Sequence, residues 1–274
     1  MIPAPFDYLR ADSAEVALEA LAEHGDDAKL LAGGHSLLPL MKFRLATPSV
    51  LVDIGRLADL SYVRDAGDEL AIGALTRHRD VEAHPLVRSQ APLLAAATSR
   101  VGDPQVRHRG TIGGAASHGD AASDIPAVLL ALRATLVVSG TDGRREIVAD
   151  DFFTGFLETA LTETDMLTEI RVPKAPTAGW SFQKFNRRAQ DWAIVGAAIH
   201  LDGDECGVGL VNMDSRPRRA TGVEEAVRSG ADAASSARLA ADGMEPPSDL
   251  NADAEFRRHL ARVLVQRGLV DAGR

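Results

Sequence analysis

The residues with the plainest chemical capacity in this chain lie in two stretches, each built on a glycine pair. L-L-A-G-G-H-S-L-L-P-L-M-K occupies 30–42, and R-G-T-I-G-G-A-A-S-H-G-D-A-A-S-D-I-P-A-V-L-L-A-L occupies 109–132. Gly33-Gly34 and Gly113-Gly114 lack side chains, so an anionic group can come close to backbone N–H donors there, and positive φ is open to them. Ser36 reads as the capping hydroxyl of a helix with an early proline. Ser123-Asp124 reads as a second helix start, with Pro126 inside the first turn. Either glycine pair alone is most simply a tight turn. Two such cradles, about eighty positions apart, point to a ligand with two phosphates gripped from both sides. Neither stretch has the form G-x-G-x-x-G or G-x-x-x-x-G-K-[ST], so the Rossmann fingerprint and the P-loop do not fit.

Several other chemistries are excluded by composition. The chain has 274 residues and one cysteine, Cys206, so it cannot by itself build a disulfide, a structural zinc cluster or a cysteine-ligated iron–sulfur centre. Its eight histidines include no H-E-x-x-H or comparable pair. No metal site is expected, and if electrons are handled here an organic cofactor must carry them. A net charge of -9 argues against nucleic acid as the main partner. No apolar run reaches the roughly eighteen residues of a transmembrane helix. The start, M-I-P-A-P-F-D-Y, has no basic or apolar leader segment, which makes the cytoplasm the default location. Cys206 reads as a buried apolar filler.

The elements that must position the glycine pairs follow from periodicity and caps. Ser13 is expected to cap an amphipathic helix, and Lys29–Ala32 and Ser49–Ile54 read as strands flanking the first pair. This makes residues 1–55 a β-α-β-like unit. In residues 56–175, Glu69–Gly73 reads as a strand and Thr76 as the cap of a helix through Val81. Leu93–Ala97 reads as a buried helix and Ile125–Leu132 as another. Thr135–Val138 and Arg145–Val148 read as strands joined at Thr141-Asp142-Gly143, and Met166–Val172 as an alternating strand that stops at Pro173. Residues 176–274 change pattern. Trp180–Phe185, Ala193–His200 and Gly207–Asn212 suit an antiparallel sheet, followed by helices near 222–229 and 254–266. Arg187, Arg188, Arg216, Arg218 and Arg219 read most simply as solvated charge, with a docking surface for a partner as the alternative.

With these motifs in place, the chain resembles the FAD-binding subunit of molybdenum hydroxylases, the family of the medium subunit of carbon monoxide dehydrogenase and the flavin part of xanthine dehydrogenase. The resemblance rests on A-G-G-H-S-L-L-P-L-M-K-F-R from Ala32, V-G-D-P-Q-V-R-H-R-G-T-I-G-G from Val101 and S-D-I-P-A-V-L-L-A-L from Ser123. It continues through K-F-N-R-R-A-Q-D-W-A from Lys184, N-M-D-S-R-P-R-R-A from Asn212 and P-P-S-D-L-N from Pro246, and so covers nearly the whole chain. It implies an α+β fold, with two FAD-binding subdomains of the PCMH type and an α+β C-terminal domain containing an antiparallel sheet. It also implies FAD as cofactor, an oxidoreductase complex, and no catalytic side chain acting on the primary substrate in this chain.

Carried over position by position, the resemblance makes Ala32, Gly33, Gly34, His35 and Ser36 the first cradle of the FAD pyrophosphate, with Leu37 on the helix behind it. Thr111, Gly113, Gly114 and Ala115 form the second, with His118 and Asp124 near the phosphate and ribose. Leu167 resembles a residue packing by the adenine or flavin edge. Lys184 matches a cation at the flavin rim, against the alternative of a solvated strand residue, and Trp192 matches an aromatic near the ring, against the alternative of a core residue. Implied partners are an iron–sulfur small subunit and a molybdenum-cofactor large subunit, in a dimer of heterotrimers. Two departures stand out. Ala115 replaces the family's Asn or Ser, and His118-Gly119-Asp120-Ala121 replaces H-A-D-P. Each lost side-chain hydrogen bond is worth about 1 kcal/mol. A self-sufficient flavin oxidase and a nucleotide-binding module that has lost FAD are the rival readings.

Overall fold

A computed structural model describes residues 2–274. The first unit has β1 (Asp7–Arg10), α1 (Ala14–His24), β2 (Ala28–Leu31), α2 (Leu37–Lys42) and β3 (Val50–Asp53). β3 lies in the middle of a three-stranded sheet and runs parallel to both β1 and β2. The β2–α2–β3 path is therefore the βαβ crossover expected around Gly33-Gly34. β1 is an element that its short, mostly polar sequence, D-Y-L-R, did not announce. Ser13 caps α1 as expected, accepting from the Val16 N–H at 3.3 Å.

The second unit holds β4 (Val63–Ala66), β5 (Glu69–Gly73), α3 (His78–Ala83), α4 (Pro85–Gln90), α5 (Pro92–Thr98), α6 (Pro104–Arg109), α7 (Ile112–His118) and α8 (Asp124–Ala131). It continues with β6 (Thr135–Gly140), β7 (Gly143–Val148), α9 (Ala149–Phe152), β8 (Phe153–Gly155), β9 (Glu158–Thr159) and β10 (Met166–Pro173). Its five-stranded sheet has the order β4-β5-β10-β6-β7. The Thr141-Asp142 hairpin turn forms as read, with Gly143 at φ 97°. β10 does not alternate strictly, because a bulge between Leu167 and Glu169 shifts its register against β6. α8 is covered on all sides, since every residue from Asp124 to Ala131 is buried.

The last unit is a four-stranded antiparallel sheet of β11 (Gly179–Phe185), β12 (Val195–Asp202), β13 (Glu205–Val211) and β14 (Arg218–Arg219). It packs with α10 (Thr221–Arg228), α11 (Ala233–Ala237) and α12 (Ala254–Asp271). α8 lies on the opposite face of this sheet. A Cβ on Gly207 or Gly209 of β13 would overlap the Ala131 and Ala127 carbonyls, so the two glycines let the helix backbone rest on the strand. Cys206 is buried as expected, and burial pushes its thiol up to about 12.

Of the five arginines read as solvated, Arg188 is paired with Asp191 but stays exposed, and three others are paired and less exposed. Arg219 bridges Glu224 and Asp150 with its side chain only 10% exposed, Arg218 pairs with Asp214 at 3.2 Å, and Arg216 donates to the Phe153 carbonyl at 2.8 Å. Distance in the chain hid two of these partners, since Asp150 and Phe153 lie more than sixty positions upstream, whereas Asp214 and Glu224 are local.

Candidate functional site

The residues that the resemblance assigns to the cofactor site all line one cavity of about 490 Å³, within the usual span of ligand pockets. Its walls come from all three units: the β2–α2 loop, the α6–α7–α8 region with β10, and Lys184, Gln190 and Trp192 from the last sheet and its loop.

One end is made of backbone. The N–H groups of Gly33, Gly34, His35 and Ser36 donate to no acceptor among the described residues, which leaves a run of consecutive donors along the cavity. Gly34 has φ 79°, the left-handed value that lets successive amides converge. Gly33 serves a different purpose. A Cβ there would strike the Arg109 carbonyl and Gly110, so the loop is pressed backbone to backbone against the end of α6. Ser36 stands at the helix start but its hydroxyl makes no capping bond, in αR backbone at φ -102° and ψ -53°, contrary to the expectation.

The second glycine pair is a correction to the cradle reading. Gly113 and Gly114 lie inside the short helix α7, and its first amides are already used. Ile112 and Gly113 donate to the Thr76 and Ala74 carbonyls at 3.0 and 2.9 Å, and Gly114 to Thr111 Oγ1 at 3.0 Å. The pair therefore offers close approach and not free donors. Gly113 has no room for a side chain because Ala74 fills it. Ala115 donates its N–H to the Thr111 carbonyl and presents only a methyl. Thr111 is the cap of α7, whereas Thr76 caps nothing: its hydroxyl is bound to the Tyr62 backbone, and Arg77 stands at the start of α3. Ser123 likewise makes no cap bond. The preceding turn is organised by Asp120, whose carboxylate accepts from the Ala122 N–H at 2.8 Å.

The other end is charged and buried. Lys184 Nζ lies 2.7 Å from Asp124 Oδ2 and 3.0 Å from the Arg100 carbonyl, and the two side chains are 2% and 5% exposed. Lys184 is thus neither solvated nor a free cation. Burial pushes the Asp124 carboxyl up, against the pull of the Lys184 ammonium. Its other oxygen, Oδ1, is buried and without a partner. A hydroxyl donor from a ligand would satisfy it. His35 is exposed at the loop tip, and His118 is half-buried, with burial pulling its pKa down. Leu167 is buried beside the β10 bulge, and Trp192 is 57% exposed on an irregular loop.

Residues that the sequence reading passed over also line the cavity, among them His78, Ser117, Leu161, Asp165 and Gln190. His78 is the most notable. It is buried, its Nδ1 has no partner, and burial and the nearby Arg107 bring its pKa down to about 4. No local pattern marks it, since the isolated bridge between Arg77 and Thr111 brings the start of α3 to the cavity. The free amide run, the unpartnered Asp124 oxygen and the close glycine contacts together suit a ligand bearing both phosphates and hydroxyls, as FAD does.

Comparison with known proteins agrees with this chemistry. Residues 4–175 match the family described as the FAD binding domain in molybdopterin dehydrogenase, and residues 180–272 match the CO dehydrogenase flavoprotein C-terminal domain. The chain is 40% identical to the carbon monoxide dehydrogenase medium chain of Hydrogenophaga pseudoflava, covering 98% of this chain and 97% of that one. It is 37% identical to subunit alpha of the 6-hydroxypseudooxynicotine dehydrogenase complex of Paenarthrobacter nicotinovorans, covering 99% and 96%. A solved structure of the Hydrogenophaga pseudoflava carbon monoxide dehydrogenase superposes with a TM-score of 0.94 over 99% of this chain and 98% of that one. The chain belongs to the FAD-binding medium subunits of the molybdenum hydroxylases, with FAD as its cofactor and an oxidoreductase complex as its setting.

Proposed function

We propose that this chain is the electron-transfer subunit of its complex and that the cavity is its FAD site. When bound, FAD supplies the redox chemistry that passes electrons from iron–sulfur clusters on a small partner subunit to an external acceptor such as a quinone or NAD. The observation that carries this reading is the cavity's division into a run of free amides at one end and a buried ion pair with Trp192 at the other. The Gly33–Ser36 amides, with Ala32 and Leu37 flanking them, would hold the diphosphate. Thr111, Gly113, Gly114 and Ala115 would form its opposite wall, with His118 beside it. Asp124 Oδ1 would accept from a sugar-chain hydroxyl. Leu167 and Trp192 would bound the ring system, and Lys184, already neutralised by Asp124, would orient that carboxylate more than it would donate charge.

This reading takes residues 1–55 and 56–175 as the two FAD-binding subdomains and 176–274 as the domain closing the site. The primary substrate belongs to a molybdenum-cofactor large subunit, and a dimer of heterotrimers is the proposed assembly. One cysteine in the chain suits this division of labour, since clusters must sit on a partner.

The test is the visible spectrum of the purified chain with and without added FAD. Flavin absorbance that stays with the protein through gel filtration and is released on denaturation is the expected result. A colourless chain that takes up no FAD, either alone or when co-expressed with its partners, would overturn the proposal in favour of a module that has lost its cofactor.

A further inference from the structure

Trp192 and Gln190 reach the cavity from residues 186–194, an irregular connection between β11 and β12. A loop of this kind needs anchors if its wall of the cavity is to have one position. Inside the loop, Asn186 Nδ2 donates to the Arg188 and Ala189 carbonyls at 2.8 and 3.3 Å, and Arg188 pairs with Asp191 at 3.0 Å. At its exit, two consecutive carbonyls each take a donor from a distant side chain. Arg257 of α12, held by Asp249 at 2.7 Å, donates to the Ile194 carbonyl. Asn212 Nδ2 donates to the Ala193 carbonyl at 2.9 Å.

Asn212 does a second thing. Its backbone N–H donates at 2.7 Å to the carbonyl of Ala121, in the α7–α8 turn that leads to Asp124. One residue thus holds the Trp192 loop with its side chain and the Asp124 wall with its backbone. Its φ of 61° lies in the left-handed region, which asparagine tolerates better than most residues with a side chain. An amide is also the group the contact requires, because only a donor can satisfy a carbonyl; aspartate of the same shape has none. Ala193 packs with Ala127 of α8 and Val211 in a small buried cluster, so the anchor sits on dry, fixed ground.

We infer that Asn212 is a positioning residue that locks the Trp192 loop to the Ala121–Asp124 wall, so that both sides of the cavity are set before a ligand enters. Its consequence for FAD affinity rests on the reading of the cavity given above, whereas the lock itself does not.

The experiment uses the full chain with Trp180→Phe, which leaves Trp192 as the single tryptophan of the original two. Asn212→Gly keeps the left-handed backbone and the N–H to Ala121 but removes the side-chain donor. In the ligand-free protein, fluorescence anisotropy decay of Trp192 is expected to show about a two-fold larger amplitude of fast local motion in the variant. Gly73→Ala, whose added methyl would strike the Leu60 carbonyl in the second unit, is the control for mere destabilisation and is expected to leave that amplitude unchanged. FAD titrations should then give an affinity about five-fold weaker for Asn212→Gly, the size of one lost hydrogen bond. An unchanged amplitude in Asn212→Gly, or an equal rise in the Gly73→Ala control, overturns the lock. A parent protein that takes up no FAD overturns the reading of the cavity, and the anisotropy comparison still decides the lock.

Discussion

His78 is where a single residue most clearly carries a cost that local sequence conceals. Its imidazole is buried against Gly110, with no partner on Nδ1, and burial depresses its pKa from 6.5 to about 4. Between those two values the unfolded chain binds a proton that the folded chain refuses. Stability must therefore fall as the pH is lowered through that window, by about 3 kcal/mol in all if each pKa unit is worth 1.4 kcal/mol. His78→Gln removes the titration, so urea midpoints of the variant should depend less on pH from 6.5 to 4 than those of the parent. Parallel profiles would show that His78 is not secluded. Ala115 illustrates the opposite case. Its methyl offers no hydrogen bond, yet its backbone bond to the Thr111 carbonyl at 3.0 Å keeps it within the helix.

At the scale of elements, the contact of α8 with β13 decides how the last unit meets the rest. Gly207 and Gly209 alternate on one face of β13, and the Ala131 and Ala127 carbonyls occupy the space where side chains would stand. Gly209→Ala should lower stability by about 1–3 kcal/mol, the usual cost of overpacking a close contact. Gly222→Ala, whose added methyl would meet only Leu239 from 3.5 Å, should be neutral or stabilising. Thermal midpoints compare the two, and a Gly209→Ala variant as stable as Gly222→Ala would refute the backbone contact. Element boundaries were broadly legible from caps and periodicity, as for α1, β5 and the three long strands of the last sheet. The failures are at the caps. Thr76, Ser36 and Ser123 have the chemistry of caps but make no cap bond, and for Thr76 the reason is tertiary: its hydroxyl is taken by the Tyr62 backbone.

Across the whole molecule, the Lys184–Asp124 pair joins β11 of the last unit to α8 of the second within the wall of the cavity. Removing one member of a buried pair strands the other, at a cost of about 3–5 kcal/mol. Lys184→Met should therefore be strongly destabilised, and its sign with pH is determined. Burial already pushes Asp124 up, so without the ammonium the carboxyl is held neutral and the variant loses stability as the pH rises. Adding Asp124→Asn should recover much of the loss and remove that pH dependence. Chemical denaturation of the parent, the single variants and the double variant forms a cycle in which simple additivity would show that the pair is not coupled.

Short-range information in the chain was enough to decide the family and the class of cofactor, and to pick out residues that line one cavity. Glycine pairs, helix starts and strand periodicity are local, and the long motifs around them are distinctive. What each glycine does was settled only by packing: Gly34 turns the chain, Gly33 presses on Gly110, and Gly113 yields to Ala74. The same holds for the neutral state of His78, the pairing of Lys184 with Asp124 and the double anchorage at Asn212. These depend on groups far apart in sequence being dehydrated together, and burial and hydrogen-bond competition of that kind exist only once the units have closed on one another.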